Sequence, residues 1–298
     1  MTTGEGASSS PRSSLGARGQ ETRGILLVLG AALLWSTGGL GIKAIADPPL
    51  KVAFYRSAIA AIGLLLLLRP RIFKKSPAFL AAVGSYAICL ITFVVATKWT
   101  SAANAIFLQY SGVAWVLLVS PILLKEPFRP RDAAAVAVAF GGMGLFFIGK
   151  FRAGGRGDVV ALVSGVFFAV LVMSLRLERG LGAEAAVTWG NVLAAAVLLP
   201  FVADDLALTQ KSAAVLAFLG FVQIAGAYAL FVQGLKHVTA TQASLAGMLE
   251  PIANPVWVFL ALGERPSPYA IAGGIIVLTA IGWRTLASPP EPPVMPAD

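Results

Sequence analysis

Side chains that carry charge or chemistry are scarce in this chain of 298 residues. Asp, Glu, Lys and Arg make up 12% of it, about half the roughly 25% of an ordinary soluble domain. The single cysteine, Cys89, excludes an internal disulfide and a thiolate metal cluster. The single histidine, His237, argues against a histidine-built metal site. No GxxxxGK[ST] pattern occurs, so nothing points to direct ATP hydrolysis. A membrane-embedded transferase would want clustered Asp or His at an interface, and here Asp204–Asp205 stands alone. No metal or cofactor is expected, and no enzymatic activity.

What the chain has is apolar length. Hydrophobic residues are 57% of it and the mean hydropathy is +0.82. There are too few polar side chains to clothe a soluble globule of this size, and the long apolar runs point to a multispanning membrane protein. Barrel strands would alternate polar and apolar residues. These runs do not alternate, so the fold class is all-α and integral to the membrane. The net charge of +9 does not indicate nucleic acid, because the basic residues fall mostly in short loops, where topology explains them.

Residues 1–22, rich in Gly, Ser and Arg without apolar periodicity, read as a disordered tail, and 286–298 as another. A cleaved signal is the rival reading, but the apolar run that follows is too long for one. Ten spans of about 20 residues are expected at 24–46, 51–68, 78–96, 102–124, 133–149, 159–177, 185–202, 213–235, 240–262 and 269–285. With the N-terminus inside, fourteen Lys and Arg lie on the inner side and eight on the outer. Both termini are therefore expected in the cytoplasm, although the 150–156 loop opposes the rule.

The chain repeats itself. At an offset of 138, Lys98 pairs with Lys236, Ala102 with Ala240, Ala105 with Ala243, Glu126 with Glu264 and Pro130 with Pro268. At an offset of 133, Gly24 pairs with Gly157 and Lys43 with Arg176. Two five-span halves, 23–149 and 157–285, follow, joined by a linker at 150–156. Five is odd, so the second half enters the bilayer from the opposite side. Inverted repeats of this kind are typical of alternating-access carriers.

Glu250 is the leading functional candidate. An acid near mid-membrane is costly and should face protein or a wet cavity. Burial favours its neutral form, which suits proton exchange. Pro251 and Pro255 break the helix, and Pro251 cannot donate to the carbonyl of Gly247. Ala243, Gly247, Glu250 and Asn254 fall at helical spacing and form one small-and-polar face. The structural alternative locks Glu250 to a partner such as Arg56. Arg56 itself either snorkels to the interface or receives a carboxylate. From the polar and aromatic residues within spans, Trp35, Gln109, Tyr110, Tyr228 and Asn254 are the preferred substrate contacts, each lying well inside a span. Glu126 and Glu264 read as interfacial acids or as gates, and Lys98 and Lys236 as snorkelling. Small residues of the fifth and tenth spans (Ala133, Ala137 and Gly141; Ala270, Gly274 and Gly282) suggest packing away from the solute path, or a homodimer contact.

LEPIANPVWVFLALGE (Leu249 to Glu264), SAANAIFLQY (Ser101 to Tyr110), LLWSTGG (Leu33 to Gly39) and FYR (Phe54 to Arg56) resemble the EamA-type members of the drug/metabolite transporter superfamily. The first half departs from the second at Val113, where Pro251 is the counterpart, and at Lys125, where Gly263 is. The resemblance implies a bacterial cytoplasmic-membrane carrier moving small polar metabolites, often amino acids outward, with proton coupling or another gradient. Its partners are then the solute and the lipid bilayer. A membrane-embedded enzyme or a non-transporting structural membrane protein is the alternative.

Overall fold

The computed structural model describes residues 11–70, 75–145, 148, 155–178, 181–262 and 268–286. Among them all regular structure is helical. The first half comprises α1 (Pro11–Trp35), α2 (Gly38–Lys43), α3 (Pro49–Leu68), α4 (Pro77–Trp99), α5 (Ala102–Gln109), α6 (Ser111–Leu123) and α7 (Pro130–Leu145). The second comprises α8 (Arg156–Glu178), α9 (Leu181–Val202), α10 (Gln210–Ala217), a π-helix (Phe218–Gly226), α11 (Ala227–Gly234), α12 (Ala240–Gly247), α13 (Leu249–Leu262) and α14 (Pro268–Leu286).

Among the described residues, seven helical stretches are long and apolar enough to cross a membrane: Gly19–Lys43, Pro49–Leu68, Pro77–Trp99, Ala102–Leu123, Arg156–Glu178, Gly182–Val202 and Gln210–Gly234. In the other three expected spans the described residues form shorter helices: α7 has 16 residues, α12 and α13 have 8 and 14, and the apolar part of α14 runs from Ile271 to Arg284. The outward surface is greasy: Ile122 is 83% exposed and Leu66 67%. A continuous apolar exterior of this kind is stable against lipid and not against water. The chain is a multi-pass membrane protein.

One expectation is corrected at the N-terminus. Residues 11–22 are helical, inside the tail that composition reads as disordered. Helix propagates backward from the apolar span, and Glu21 Oε1 accepts from Gln242 Nε2 at 2.5 Å, which anchors the extension to α12. Residues 150–154 of the basic loop that opposes the charge rule, and Glu264, lie outside the described residues, while Arg156 opens α8.

Helix packing relates the halves. α4 lies along α8, and α1 correspondingly along α11; α5 and α6 contact α8, and α12 and α13 contact α1; the π-helix packs on α3, and α4 on α9. α3 with α9 and α7 with α14 pair across the two halves. The α7–α14 contact uses the Ala135, Ala139 and Gly142 face, where a Cβ on Gly142 would stand 2.8 Å from the carbonyl oxygen of Gly273. The Ala137–Gly141 face, expected from its small residues to pack closely, is exposed.

Polar contacts tie the helix ends within the two sets that charge counting separates. In one set Arg176 Nε donates to Glu126 Oε1 at 2.9 Å and Nη1 to the Leu235 carbonyl at 2.8 Å. Glu126 also accepts from the Ala240 amide at 3.2 Å, at the N-terminus of α12. Lys236 donates to Glu184 at 2.8 Å, and Arg284 to Asp132. In the other set Lys51 donates to Asp205 at 2.9 Å and to the Ala207 carbonyl at 2.6 Å, and Lys98 to the Ile45 carbonyl at 2.6 Å. Lys98 and Lys236 are thus bonded to protein, where snorkelling was the simpler expectation.

Just beyond α6, Lys125 has φ 54°, a left-handed conformation that favours glycine. Its repeat counterpart in sequence is Gly263. A side chain there costs about 1–2 kcal/mol. Lys125→Gly is expected to raise the thermal midpoint of the purified protein by about 2–4 °C, measured by the unfolding of detergent-solubilised protein.

Candidate functional site

Two helix breaks face each other at the middle of the bundle. α12 starts on a capping box: Thr239 Oγ1 accepts from the Gln242 amide at 3.2 Å while Gln242 Oε1 accepts from the Thr239 amide at 2.8 Å. α5 starts on a matching N-cap, Ser101, whose hydroxyl accepts from the Asn104 amide at 3.0 Å. Eight residues on, α5 breaks at Tyr110 and α12 at Met248. These break positions are 138 residues apart, the offset of the sequence repeat. A third break, at Ser36–Thr37 between α1 and α2, lies beside them: Trp257 Nε1 of α13 donates to Ser36 Oγ at 2.6 Å.

Pro251 explains the break in α12–α13. Without an N–H it leaves the Gly247 carbonyl without its helical donor. Tyr110 supplies the replacement, with Oη 2.6 Å from Gly247 O and 2.9 Å from Glu250 Oε2. A phenol has one hydrogen. When Tyr110 donates to Gly247, the contact with Glu250 needs the hydrogen of a protonated carboxyl. When Glu250 is ionised it draws the phenol hydrogen to itself and the Gly247 carbonyl loses its donor.

Tyr110 is held in place by close backbone approach. A Cβ on Gly112 would stand 2.4 Å from the Gly165 carbonyl oxygen of α8, and one on Gly165 2.6 Å from that of Gln109. Only glycines let α6 and α8 meet this closely.

A cavity of about 50 Å3 lies against this junction, lined by Trp35, Arg56, Gln109, Gln223, Tyr228 and Glu250 together with Cys89, Leu90, Phe93, Phe168 and Ile224. It admits a few water molecules; small-molecule pockets usually hold about 300–1,000 Å3. Arg56 is 2% exposed, so it is turned inward and does not snorkel. Its Nε and Nη2 both donate to Gln223 Oε1, at 3.1 and 2.6 Å. The Gln223 amide in turn donates to the Trp35 carbonyl at the end of α1, at 3.1 Å. No hydrogen bond or ion pair joins Arg56 to Glu250 among the described residues, so in place of the locked pair of the structural alternative there are two separate partnerships across the cavity.

Gln109 Nε2 donates to Ser164 Oγ at 2.8 Å, which fixes the opposite wall. Trp35 and Tyr228 belong to an aromatic wall, with ring centroids 5.0 Å apart and Tyr86 4.8 Å beyond Tyr228.

Of the seven residues singled out from sequence, five line the cavity: Trp35, Arg56, Gln109, Tyr228 and Glu250. Tyr110 sits one hydrogen bond behind Glu250. Asn254 is buried away from the cavity, with its amide nitrogen against Gly39. The supposed continuous face from Ala243 to Asn254 is interrupted at Met248, which ends the helical phase.

Gln223 was one of many intramembrane amides in sequence; its importance comes from the π-helix. The wider i to i+5 turn carries Gln223 and Ile224 to the cavity, and Tyr228 joins them from the start of α11. Gly220 of that helix presses on α3, where a Cβ would stand 2.5 Å from Ile59 Cβ.

The sequence model of the EamA-like transporter family matches residues 22–148 and again 155–284. The chain belongs to the EamA-like transporter family. It is 25% identical over 285 residues to an uncharacterized transporter of Archaeoglobus fulgidus, covering 87% of this chain and 96% of that one. It is 25% identical over 268 residues to the pseudopaline exporter CntI of Pseudomonas aeruginosa, covering 86% and 94%. A solved crystal structure aligns at TM-score 0.75 and 17% identity over 89% of this chain and 99% of that one, which speaks to the fold. Family and relatives are transporters, in keeping with a membrane transport protein.

Cys89, the sole thiol, is 5% exposed and packed against Gln109 and Ser164. Its alkylation by N-ethylmaleimide in folded protein is expected to run roughly tenfold or more slower than in SDS. Mass spectrometry of the time course measures it.

Proposed function

We propose that the protein is a secondary carrier of small polar metabolites, amino acids or their derivatives, working as an exporter in a bacterial cytoplasmic membrane. It works by alternating access, and Glu250 carries the coupled proton. The observation that carries this reading is one cavity holding a buried guanidinium and a buried carboxyl, Arg56 and Glu250, beside facing helix breaks. Broken helices with free backbone groups near the bilayer midplane are where carriers bind substrate and coupling ion. Its small volume supports a contracted state that must widen to admit solute.

Ten spans in two inverted five-helix repeats, 23–149 and 157–285, are the proposed architecture. The twofold family match, the matched caps and breaks 138 residues apart, and the reciprocal packing of the halves support it. The name of the CntI relative supports export as the direction. Both termini are proposed to be cytoplasmic, with the bundle ends pinned by Glu126–Arg176 on the inner side and Lys51–Asp205 on the outer.

The test is release from proteoliposomes preloaded with labelled amino acids and related metabolites, with and without a pH gradient. Wild-type protein is expected to release a selective subset faster when the gradient is imposed. Glu250→Gln is expected to reduce that rate by roughly tenfold or more and to remove its dependence on the gradient. Normal gradient-dependent release by folded Glu250→Gln would dismiss Glu250 as the proton carrier.

A further inference from the structure

Arg56 is a charge without a counterion. It is 2% exposed in the middle of the bundle, and no acid stands within ion-pairing distance among the described residues. A buried cation in lipid normally pairs. Here the edge of the guanidinium formed by Nε and Nη2, the edge that grips a carboxylate with two parallel bonds, is spent on one neutral oxygen, Gln223 Oε1, at 3.1 and 2.6 Å. The one acid in the same cavity, Glu250, is engaged with Tyr110.

We propose that Gln223 occupies, on Arg56, the place of a solute carboxylate, and that the cavity is built for small solutes that carry one. Resting on the carrier reading above, this names the chemical class of its solute. Exchange of the amide oxygen for a carboxylate keeps both donors of Arg56 satisfied and supplies the missing charge.

The exchange has a mechanical consequence. Gln223 Nε2 donates to the Trp35 carbonyl, where α1 ends. The backbone of Gly38, at the start of α2, leaves room for this amide: a Cβ there would stand 2.6 Å from Gln223 Nε2. Displacing Gln223 therefore releases the α1–α2 break and moves the π-helix, which carries Gln223 and presses on α3 through Gly220. The remaining walls, Leu90, Phe93, Phe168 and the aromatic face of Tyr228, suit an apolar portion of the solute and offer no second anion site.

The experiment measures binding and thermal unfolding on purified protein. The probes are radiolabelled amino acids and the carboxamide of each. Wild type is expected to bind an acid at least about tenfold more tightly than its carboxamide. Gln223→Glu places an internal carboxylate on Arg56. It is expected to raise the thermal midpoint and to weaken binding of the acid about tenfold or more. Gln223→Ala, which vacates the position, is expected to keep acid binding, and remains informative if Gln223→Glu does not fold.

Equal binding of acid and carboxamide overturns the proposal. So does acid binding by Gln223→Glu at wild-type strength, loss of it in folded Gln223→Ala, or a Gln223→Glu midpoint at or below wild type. The last outcome needs no bound solute. Proteoliposomes that release only solutes lacking a carboxylate would overturn this inference and leave the carrier reading standing.

Discussion

Pro251 has no amide hydrogen, and the carbonyl of Gly247 must find a donor elsewhere. In hydrocarbon an unsatisfied carbonyl costs several kcal/mol, so the donor has to come from protein. It comes from Tyr110, at the matching break of the other half. That one hydrogen bond ties the two breaks together and places a phenol against Glu250. The close Gly112–Gly165 approach of α6 and α8, the N-caps that set where α5 and α12 begin, and the position of Glu250 on the cavity wall all serve this junction.

Because the phenol has a single hydrogen, protonation and backbone satisfaction are linked. A neutral Glu250 leaves Tyr110 free to hold Gly247; an ionised one competes for it. On the other wall a parallel arrangement joins Arg56 to a broken backbone, through Gln223 and the Trp35 carbonyl. Arg56 and Glu250 are thus each one neutral side chain away from a helix break. On the carrier reading, both the proton and the solute act on the helix breaks through these intermediaries, and neither needs a direct Arg56–Glu250 contact.

Much of this was legible in the sequence. Apolar runs fix the helices because lipid offers backbone groups no alternative partner, and an acid followed by proline marks the break because both are costly there. Trp35, Gln109, Tyr228 and Glu250 were found as polar or aromatic residues well inside spans, and Arg56 as a charge within one that either snorkels or receives a carboxylate; all five line the cavity. Asn254 was misplaced because spacing along a continuous helix assumes a phase that Met248 interrupts. Gln223 was not distinguished from other amides because a π-helix has no sequence signature of its own; tight packing of Gly220 on Ile59 accompanies it in the fold. Lys125 showed in sequence as a departure from Gly263, and its left-handed backbone gives that departure a physical meaning.

The most direct test of the Tyr110–Glu250 link is infrared spectroscopy of the protein in lipid at neutral pH, reading the C=O stretch of a protonated carboxyl. Wild type is predicted to show such a band, and Glu250→Gln to lack it. Pro251→Ala restores a backbone donor to Gly247, frees the Tyr110 hydrogen for an ionised Glu250, and is predicted to weaken the band. A wild-type spectrum without the band, or a band of unchanged strength in folded Pro251→Ala, would contradict the link.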